Sequence, residues 1–188
     1  HTGAVSCVIQ LADGRIVSAS YDGTLRVWNS ESGDCILQLI GHAERVYCVA
    51  QLADGRIVSG SWDSSLRVWD SKSGKCTLEL TCHTDRVTCV VQLANGRIVS
   101  GSADKSLRVW DSESGKCTLE LIGHRDIVSC VAQLLDGWIV SGSYDNSLRV
   151  WSSTFGNCIK TITIDTGVAA CCVMPDGRLV IVLTNNSL

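Results

Sequence analysis

The stretch SGSWDSSLRVWD, residues 59–70, sets two tryptophans seven residues apart and follows each with an aspartate. The pattern returns as SASYDGTLRVWN from Ser18, SGSADKSLRVWD from Ser100 and SGSYDNSLRVWS from Ser141, a spacing of 41 residues at every step. Self-similarity at a fixed period of this size marks stacked supersecondary units. The chain divides into units 1–41, 42–82, 83–123 and 124–164, with a partial fifth over 165–188, all forming one array. Each unit offers four short apolar runs; in the second they are RVYCVAQL, RIVSGS, LRVWD and CTLELT. Asp54-Gly55 separates the first two, and Asp13-Gly14, Asn95-Gly96, Asp136-Gly137 and Asp176-Gly177 match it. Such pairs tolerate the positive φ of tight hairpins, so the sheets are expected to be antiparallel.

No window shows a helical period with capping residues, which leaves an all-β chain. A four-stranded sheet with Val46, Cys48, Ile57, Leu66, Val68 and Leu78 spread over both faces cannot bury them alone. Each larger side chain left in water would forgo about 1.5–3 kcal/mol. Stability must therefore come from unit stacking on unit.

The bulk numbers narrow the function classes. A chain of 188 residues, 45% hydrophobic and 19% charged, reads as globular. A net charge of −3 with evenly spread basic residues gives no footprint for nucleic acid or an anionic membrane. The apolar run GVAACCV falls well short of a bilayer span. Residue 1 is a histidine with no leader after it, which reads as an excision from a longer, soluble chain. Of the eleven cysteines, Cys7, Cys48, Cys89 and Cys130 share one repeat position and Cys35, Cys76, Cys117 and Cys158 another. On the first and last strands of a sheet these sets lie about 14 Å apart, beyond disulfide reach within a unit. They are expected to be small buried hydrophobes in a reducing compartment, cytoplasmic or nuclear, and the spacing fits no zinc site. No metal and no cofactor are expected.

The 41-residue period, Gly41-His42 before the first strand, Asp63 in a tight turn and Trp69-Asp70 closing the third strand together resemble the WD40 repeat of β-propellers. The resemblance covers the four full units nearly end to end. It implies a WD40-type propeller of four-stranded antiparallel blades, of which this chain supplies about four and a half in a larger ring. It also implies a hydrogen-bonded histidine–serine–aspartate–tryptophan tetrad in each blade. These are His1, Ser18, Asp22 and Trp28; His42, Ser59, Asp63 and Trp69; His83, Ser100, Asp104 and Trp110; and His124, Ser141, Asp145 and Trp151. Ser61 lies two residues beyond Ser59 on the same side and competes for that role. The fifth unit departs: Ile164-Asp165 replaces Gly-His, Ile181 the serine and Asn185 the turn aspartate. The ring is expected to be completed by further blades of a parent chain or by another chain, since an open arc leaves apolar faces and sheet edges bare.

A repeated Ser-His-Asp set reads as architecture, not as a hydrolase, and no phosphate loop or non-repeating titratable cluster marks an enzyme. Partner information must sit where blades differ. By resemblance, the rim formed by the d-to-a and b-to-c loops is the partner surface, with Ala4, Ser6 and Tyr21; Arg45, Tyr47 and Trp62; Arg86, Thr88 and Ala103; and Ile127, Ser129 and Tyr144 pointing into it. Tyr21, Trp62 and Tyr144 either stand out as anchors or lie flat across neighbouring turns. Trp138 sits on the opposite rim as surface filling. The leading expectation is a non-enzymatic scaffold that binds a protein or peptide on the Trp62 rim. Its rival is a ligand-reading propeller, lectin-like or a phosphopeptide receptor of the ubiquitin-ligase kind. The phosphate reading is weakened because Tyr47, Trp62, Thr88 and Ala103 stand where its arginines would be.

Overall fold

A computed structural model describes residues 1–184, and Asn185 lies outside them. Every regular element is a strand. Blade 1 holds β1 (Val5–Gln10), β2 (Ile16–Ser20), β3 (Thr24–Trp28) and β4 (Cys35–Ile40). Blade 2 holds β5 (Val46–Gln51), β6 (Ile57–Ser61), β7 (Leu66–Trp69) and β8 (Cys76–Leu80). Blade 3 has β9 (Val87–Gln92), β10 (Ile98–Ser102), β11 (Ser106–Trp110) and β12 (Cys117–Ile122). Blade 4 has β13 (Val128–Gln133), β14 (Ile139–Ser143), β15 (Ser147–Trp151) and β16 (Cys158–Thr163). The fifth blade contributes β17 (Val168–Val173) and β18 (Leu179–Leu183). Each sheet is an antiparallel meander in chain order, four-stranded in blades 1–4 and two-stranded in blade 5. Among the described residues this is an open propeller array, its sheets unclosed.

The core lies between blades, not within them. Leu25, Val27 and Leu39 of blade 1 pack with Val46, Ile57 and Trp69 of blade 2. Val58, Leu66 and Val68 of blade 2 pack with Val87, Ile98 and Trp110 of blade 3. Val99, Leu107 and Val109 of blade 3 pack with Val128, Ile139 and Trp151 of blade 4. Each full interface thus closes on an indole from the following blade. Close approach at the inner strands rests on a glycine in blades 2, 3 and 4, Gly60, Gly101 and Gly142: a Cβ at Gly101 would stand 2.6 Å from Cys89 Sγ and 2.7 Å from Val128 Cγ1. Blade 1 carries Ala19 there, still fully buried.

Polar braces repeat at the same junctions. The backbone N–H of Ala12 donates to Gln51 Oε1 at 2.8 Å, and Ala53 and Ala94 do the same to Gln92 and Gln133 at 2.7 Å. Arg15 donates to the Ser71 carbonyl at 2.6 Å, Arg56 to that of Ser112 at 3.1 Å and Arg97 to that of Ser153 at 2.6 Å. Trp138 takes the place of the fourth arginine and stays exposed.

The cysteines divide by strand. Cys48 and Cys130 on the inner strands are buried, but Cys35 and Cys76 at the start of the outermost strands are exposed, as are Cys82 and Cys172. The expectation of uniform burial therefore fails for the outer set, because a fourth strand has a neighbour on one edge only. All eleven thiols are free.

Directly after the turn aspartate the backbone is left-handed: Gly23 in blade 1 has φ 80°, but Ser64, Lys105 and Asn146 hold φ 67°, 73° and 62° in the others. A side chain in that region costs about 1–2 kcal/mol. Replacing Lys105 with glycine is expected to raise stability by up to about 1 kcal/mol, read as a higher urea midpoint; an unchanged or lower midpoint counts against strain at this turn.

Candidate functional site

The four histidine sets adopt one geometry. In blade 2, Trp69 Nε1 donates to Ser59 Oγ at 2.8 Å, Ser59 Oγ lies 2.8 Å from His42 Nε2, and His42 Nδ1 lies 2.8 Å from Asp63 Oδ2. Blades 1, 3 and 4 repeat it around Ser18, Ser100 and Ser141. Their histidines meet Asp22, Asp104 and Asp145 at 2.7–2.9 Å. Because the indole can only donate, the serine oxygen accepts it and turns its own proton toward His Nε2. His Nδ1–H then faces the carboxylate, so a neutral imidazole satisfies every contact. Ser59, Ser100 and Ser141 are fully buried. A Ser-His-Asp row whose hydroxyl accepts an indole proton and has no path to solvent is structural.

The second serine has a separate task. Ser61 Oγ donates to the Glu44 carbonyl and accepts from the Asp63 backbone N–H. A further hydroxyl went unread in the sequence: Thr24, Ser65, Ser106 and Ser147 each donate to Oδ1 of the turn aspartate at 2.6–2.7 Å. Its signal was available as a hydroxyl two residues after each aspartate. The aspartate also accepts the backbone N–H after the histidine, as Ala43 shows at 3.0 Å for Asp63.

Burial alone would raise these carboxylates, but the donors around them win. His42, Ser65 and the Ala43 N–H hold Asp63 well below the ordinary range, and His83 and Ser106 do so for Asp104. Ser147, the Arg125 N–H and His124 bring Asp145 down to about 2 against its burial. Burial lowers His124 in spite of Asp145 beside it. Groups with depressed folded values bind fewer protons folded than unfolded, so stability falls as pH falls.

The rim is less uniform. The residue before each turn aspartate is tied to the residue before the first strand: Tyr21 N–H donates to Ala4 O at 2.8 Å, Trp62 to Arg45 at 2.8 Å, Ala103 to Arg86 at 3.0 Å and Tyr144 to Ile127 at 3.0 Å. The residue after the first-strand valine is the bulge residue of its strand, at Ser6, Tyr47 and Ser129 in their blades and at Thr88 in blade 3. A bulge re-aims its side chain. Three of the four use this to bridge blades: Ser6 donates to Val46 O at 2.6 Å, Thr88 to Val128 O and Ser129 to Val168 O.

Four of the expected rim residues, Ser6 among them, are engaged within the scaffold. Thr88 and Ser129 commit their hydroxyls to carbonyls of their own and the next blade, at Gly101 and Gly142 as well. Ala103 is only 8% exposed. Ile127 is partly exposed and Tyr144 is 45% exposed, both on blade 4.

Tyr47 has no hydroxyl short enough to bridge. Its ring lies 5.3 Å from that of Tyr21 and 5.7 Å from that of Trp62, edge on. The Arg45 guanidinium sits over both flanking rings, 5.1 Å from Tyr21 and 4.8 Å from Trp62, and Arg86 from the next blade lies over Trp62 at 5.2 Å. Tyr21, Arg45, Tyr47, Trp62 and Arg86 thus form an interleaved ladder across blades 1 to 3. Trp62 is half-buried within it, neither a free anchor nor packing alone. Each exposed cation–π contact is worth about 0.5–1 kcal/mol. Burial, then the neighbouring Tyr21 hydroxyl, raise the Tyr47 phenol against Arg86 and Arg45.

A four-stranded antiparallel blade repeated with its first strand innermost, tied by such a tetrad, defines a β-propeller repeat protein. The WD domain, G-beta repeat model matches residues 1–29, 33–70, 74–111 and 115–152, and the chain belongs to the WD40 family. Over 46 residues, 24% of the chain, it is 56% identical to WD repeat-containing protein pop1 of Schizosaccharomyces pombe and 39% identical to human WD repeat-containing protein 41. The alignments span 6% and 10% of those proteins. The crystal structure of the WD40 β-propeller domain of Doa1 superposes with a TM-score of 0.88 at 25% identity, over 99% of this chain and 62% of that one. WD repeat proteins are in general protein-interaction scaffolds and typically not enzymes.

Replacing Asp63 with alanine is expected to cost about 1–3 kcal/mol by orphaning its buried donors, and calorimetry that found no loss would remove the tetrad from the scaffold. Urea midpoints are expected to fall from pH 7 toward pH 3. His124 contributes below about 6.5 and the tetrad aspartates below about 4. A midpoint that rose on acidification would contradict the neutral-imidazole arrangement.

Proposed function

We propose that this chain is a non-enzymatic interaction module, working in the cytoplasm or nucleus, that binds a protein or peptide segment across the d-to-a and b-to-c rim of blades 1 to 3. The observation that carries this reading is the Tyr21–Arg45–Tyr47–Trp62–Arg86 ladder. These residue types dominate binding energetics at interfaces. Tyr47 stands where Ser6, Thr88 and Ser129 serve blade-to-blade contact in the other blades. The ladder is ordered before any partner arrives, which lowers the entropy lost on binding. Its guanidinium N–H edges and phenol hydroxyls give polar contacts beside ring edges.

A second reading, a propeller selective for phosphorylated or otherwise anionic peptides, draws on the ion pairing of the two arginines. Arg86 meets Asp85 at 3.9 Å, the long limit of such a pair. Arg45 has no carboxylate partner among the described residues, so its charge is free for one. A lectin-like reading finds no support, because the rim residues differ from blade to blade.

The test is selection of a random peptide library on the immobilised chain, with recovered peptides measured against a Tyr47→Ala, Trp62→Ala double variant. Affinity is expected to fall at least about tenfold, with a drop in melting temperature of only several degrees from the lost ring contacts. Unchanged affinity sinks the rim assignment, and a collapse of stability reassigns the ladder to packing. A steep loss of affinity with added salt favours the anionic reading.

A further inference from the structure

Each inner-strand cysteine packs toward the following blade, and the shared clusters show what it meets there. Cys7 packs with Val49, Cys48 with Val90 and Cys89 with Val131. The fifth unit is one residue short at this place: the turn residues Asp13, Asp54, Asn95 and Asp136 stand 41 apart, but Asp176 follows Asp136 after 40. Cys171 therefore stands three residues before Met174, which opens its hairpin turn, as Val131 does before Leu134. The registers agree, since Val131 lies opposite Ser141 and Cys171 opposite Ile181, the residue that replaces the serine. The facing position that holds valine in blades 2 to 4 thus holds Cys171 in blade 5, and Cys171 packs into the cluster that contains Cys130. Ser129 of β13, bonded to the Val168 carbonyl of β17, draws the two strands together beside it. Among the described residues this is the one inner-strand junction at which a cysteine is met by a cysteine instead of a valine. The consequence reaches the thiols themselves. The Cys171 S–H lowers the Cys130 thiol from its ordinary value in spite of burial, and Cys130 together with burial raises Cys171. Burial pushes Cys89, which meets Val131, up to about 12.

We infer that Cys130 and Cys171 are a two-thiol oxidation site, at which a hydroperoxide joins them in a reversible disulfide that clamps β17 to β13 across the junction of blades 4 and 5. Cys130 is 6% exposed and Cys171 is half-buried, so the site admits a small oxidant and not a protein one. Hydrogen peroxide suffices. One sulfur takes an OH group as the O–O bond breaks, giving a sulfenic acid, and its thiol proton leaves in the first water. The other sulfur then displaces that OH, which leaves as a second water with the second thiol proton. The S–S bond forms, each sulfur loses one electron, and the peroxide is reduced to two waters. A dithiol reverses the bond by exchange and is oxidised in turn. In a reducing compartment such a bond is transient and redox-sensing. It closes a loop that holds β14, β15 and β16, which restricts the unfolded chain and fixes the fifth-blade hairpin to its neighbour. The site is independent of the rim ladder, whose residues belong to blades 1 to 3.

The test exposes the reduced 188-residue chain, at high dilution, to hydrogen peroxide, alkylates the remaining thiols and maps the peptides by mass spectrometry. Of the eleven thiols, Cys130 and Cys171 are expected to escape alkylation first, joined to each other, and dithiothreitol to restore both. Cys172→Ser should keep the link. Cys171→Val, which rebuilds the packing of the other three junctions, should remove it and leave the fold intact. The urea midpoint should rise on oxidation of the unsubstituted chain and stay unmoved in Cys171→Val. Val131→Cys should create a second link, to Cys89. The proposal is overturned if Cys130 and Cys171 both stay open to alkylation, if either links to a different cysteine instead, or if oxidation leaves the midpoint of the unsubstituted chain unchanged. A Val131→Cys chain that forms no link to Cys89 overturns the facing position as the origin of the pair.

Discussion

No blade in this protein has an interior of its own. Each sheet exposes apolar residues on both faces, and every cluster that hides them draws on two neighbouring blades. The rest of the design follows from that constraint. The residue at the middle of the second strand must be small, glycine in blades 2 to 4 and alanine in blade 1, so that the inner strands can close on one another. The tryptophan that ends the third strand must be fixed in angle, because it is the piece that fits the neighbour. The tetrad performs the fixing: it pins the indole through Ser59 to His42, and His42 through Asp63 to the loop before the first strand. A buried polar chain in which every donor has an acceptor rigidifies a sheet without leaving an unpaired group. Intrablade polarity and interblade hydrophobicity are thus one device.

Blade 2 shows how the chemistry of one junction can change within such a device. At its bulge the other blades carry Ser6, Thr88 and Ser129, whose hydroxyls bridge to the following valine carbonyl. Tyr47 gives that bridge up. In exchange its ring supports Tyr21 and Trp62, and Arg86 of blade 3 reaches back over Trp62 to restore a contact across the same junction. The lost hydrogen bond and the gained cation–π contact are each on the order of 1 kcal/mol. The junction therefore changes its chemistry with little net change in stability.

The sequence carried the architecture well because the architecture repeats. The period, the Asp-Gly turns and the fixed offsets of His42, Ser59, Asp63 and Trp69 each recur in four copies, so a strand order and a hydrogen-bonding set were legible before any coordinate. Side-chain fate on the rim was not. Thr88 and Ser129 lie in the same repeat position as Tyr47, and only the bulge geometry shows that a short hydroxyl turns to the next blade while a phenol turns to the surface. Ala103 sits at the position of Trp62 yet is covered, a matter of size that no periodicity records. Cys35 and Cys76 misled for a different reason: identical spacing fixes which strand holds a residue, but an outermost strand leaves its start open to water. Trp62 was readable as special, but the two guanidiniums over it come from loops 17 residues before and 24 after, a pairing visible only in three dimensions.

The arginine braces each span 56 residues, and the hydroxyl bridges and glutamine contacts step across blades by the same 41-residue unit. Excision of residues 42–82 would set Arg15 opposite Ser112, Ala12 opposite Gln92, Ser6 opposite Val87 and Gly41 directly before His83. Every scaffold partnership is re-formed with identical atoms, yet Arg45, Tyr47 and Trp62 leave together. Architecture and the aromatic–cationic ladder are therefore separable by one in-frame cut, and a lineage built on this repeat can gain or discard such a surface feature as a cassette without redesigning a single joint.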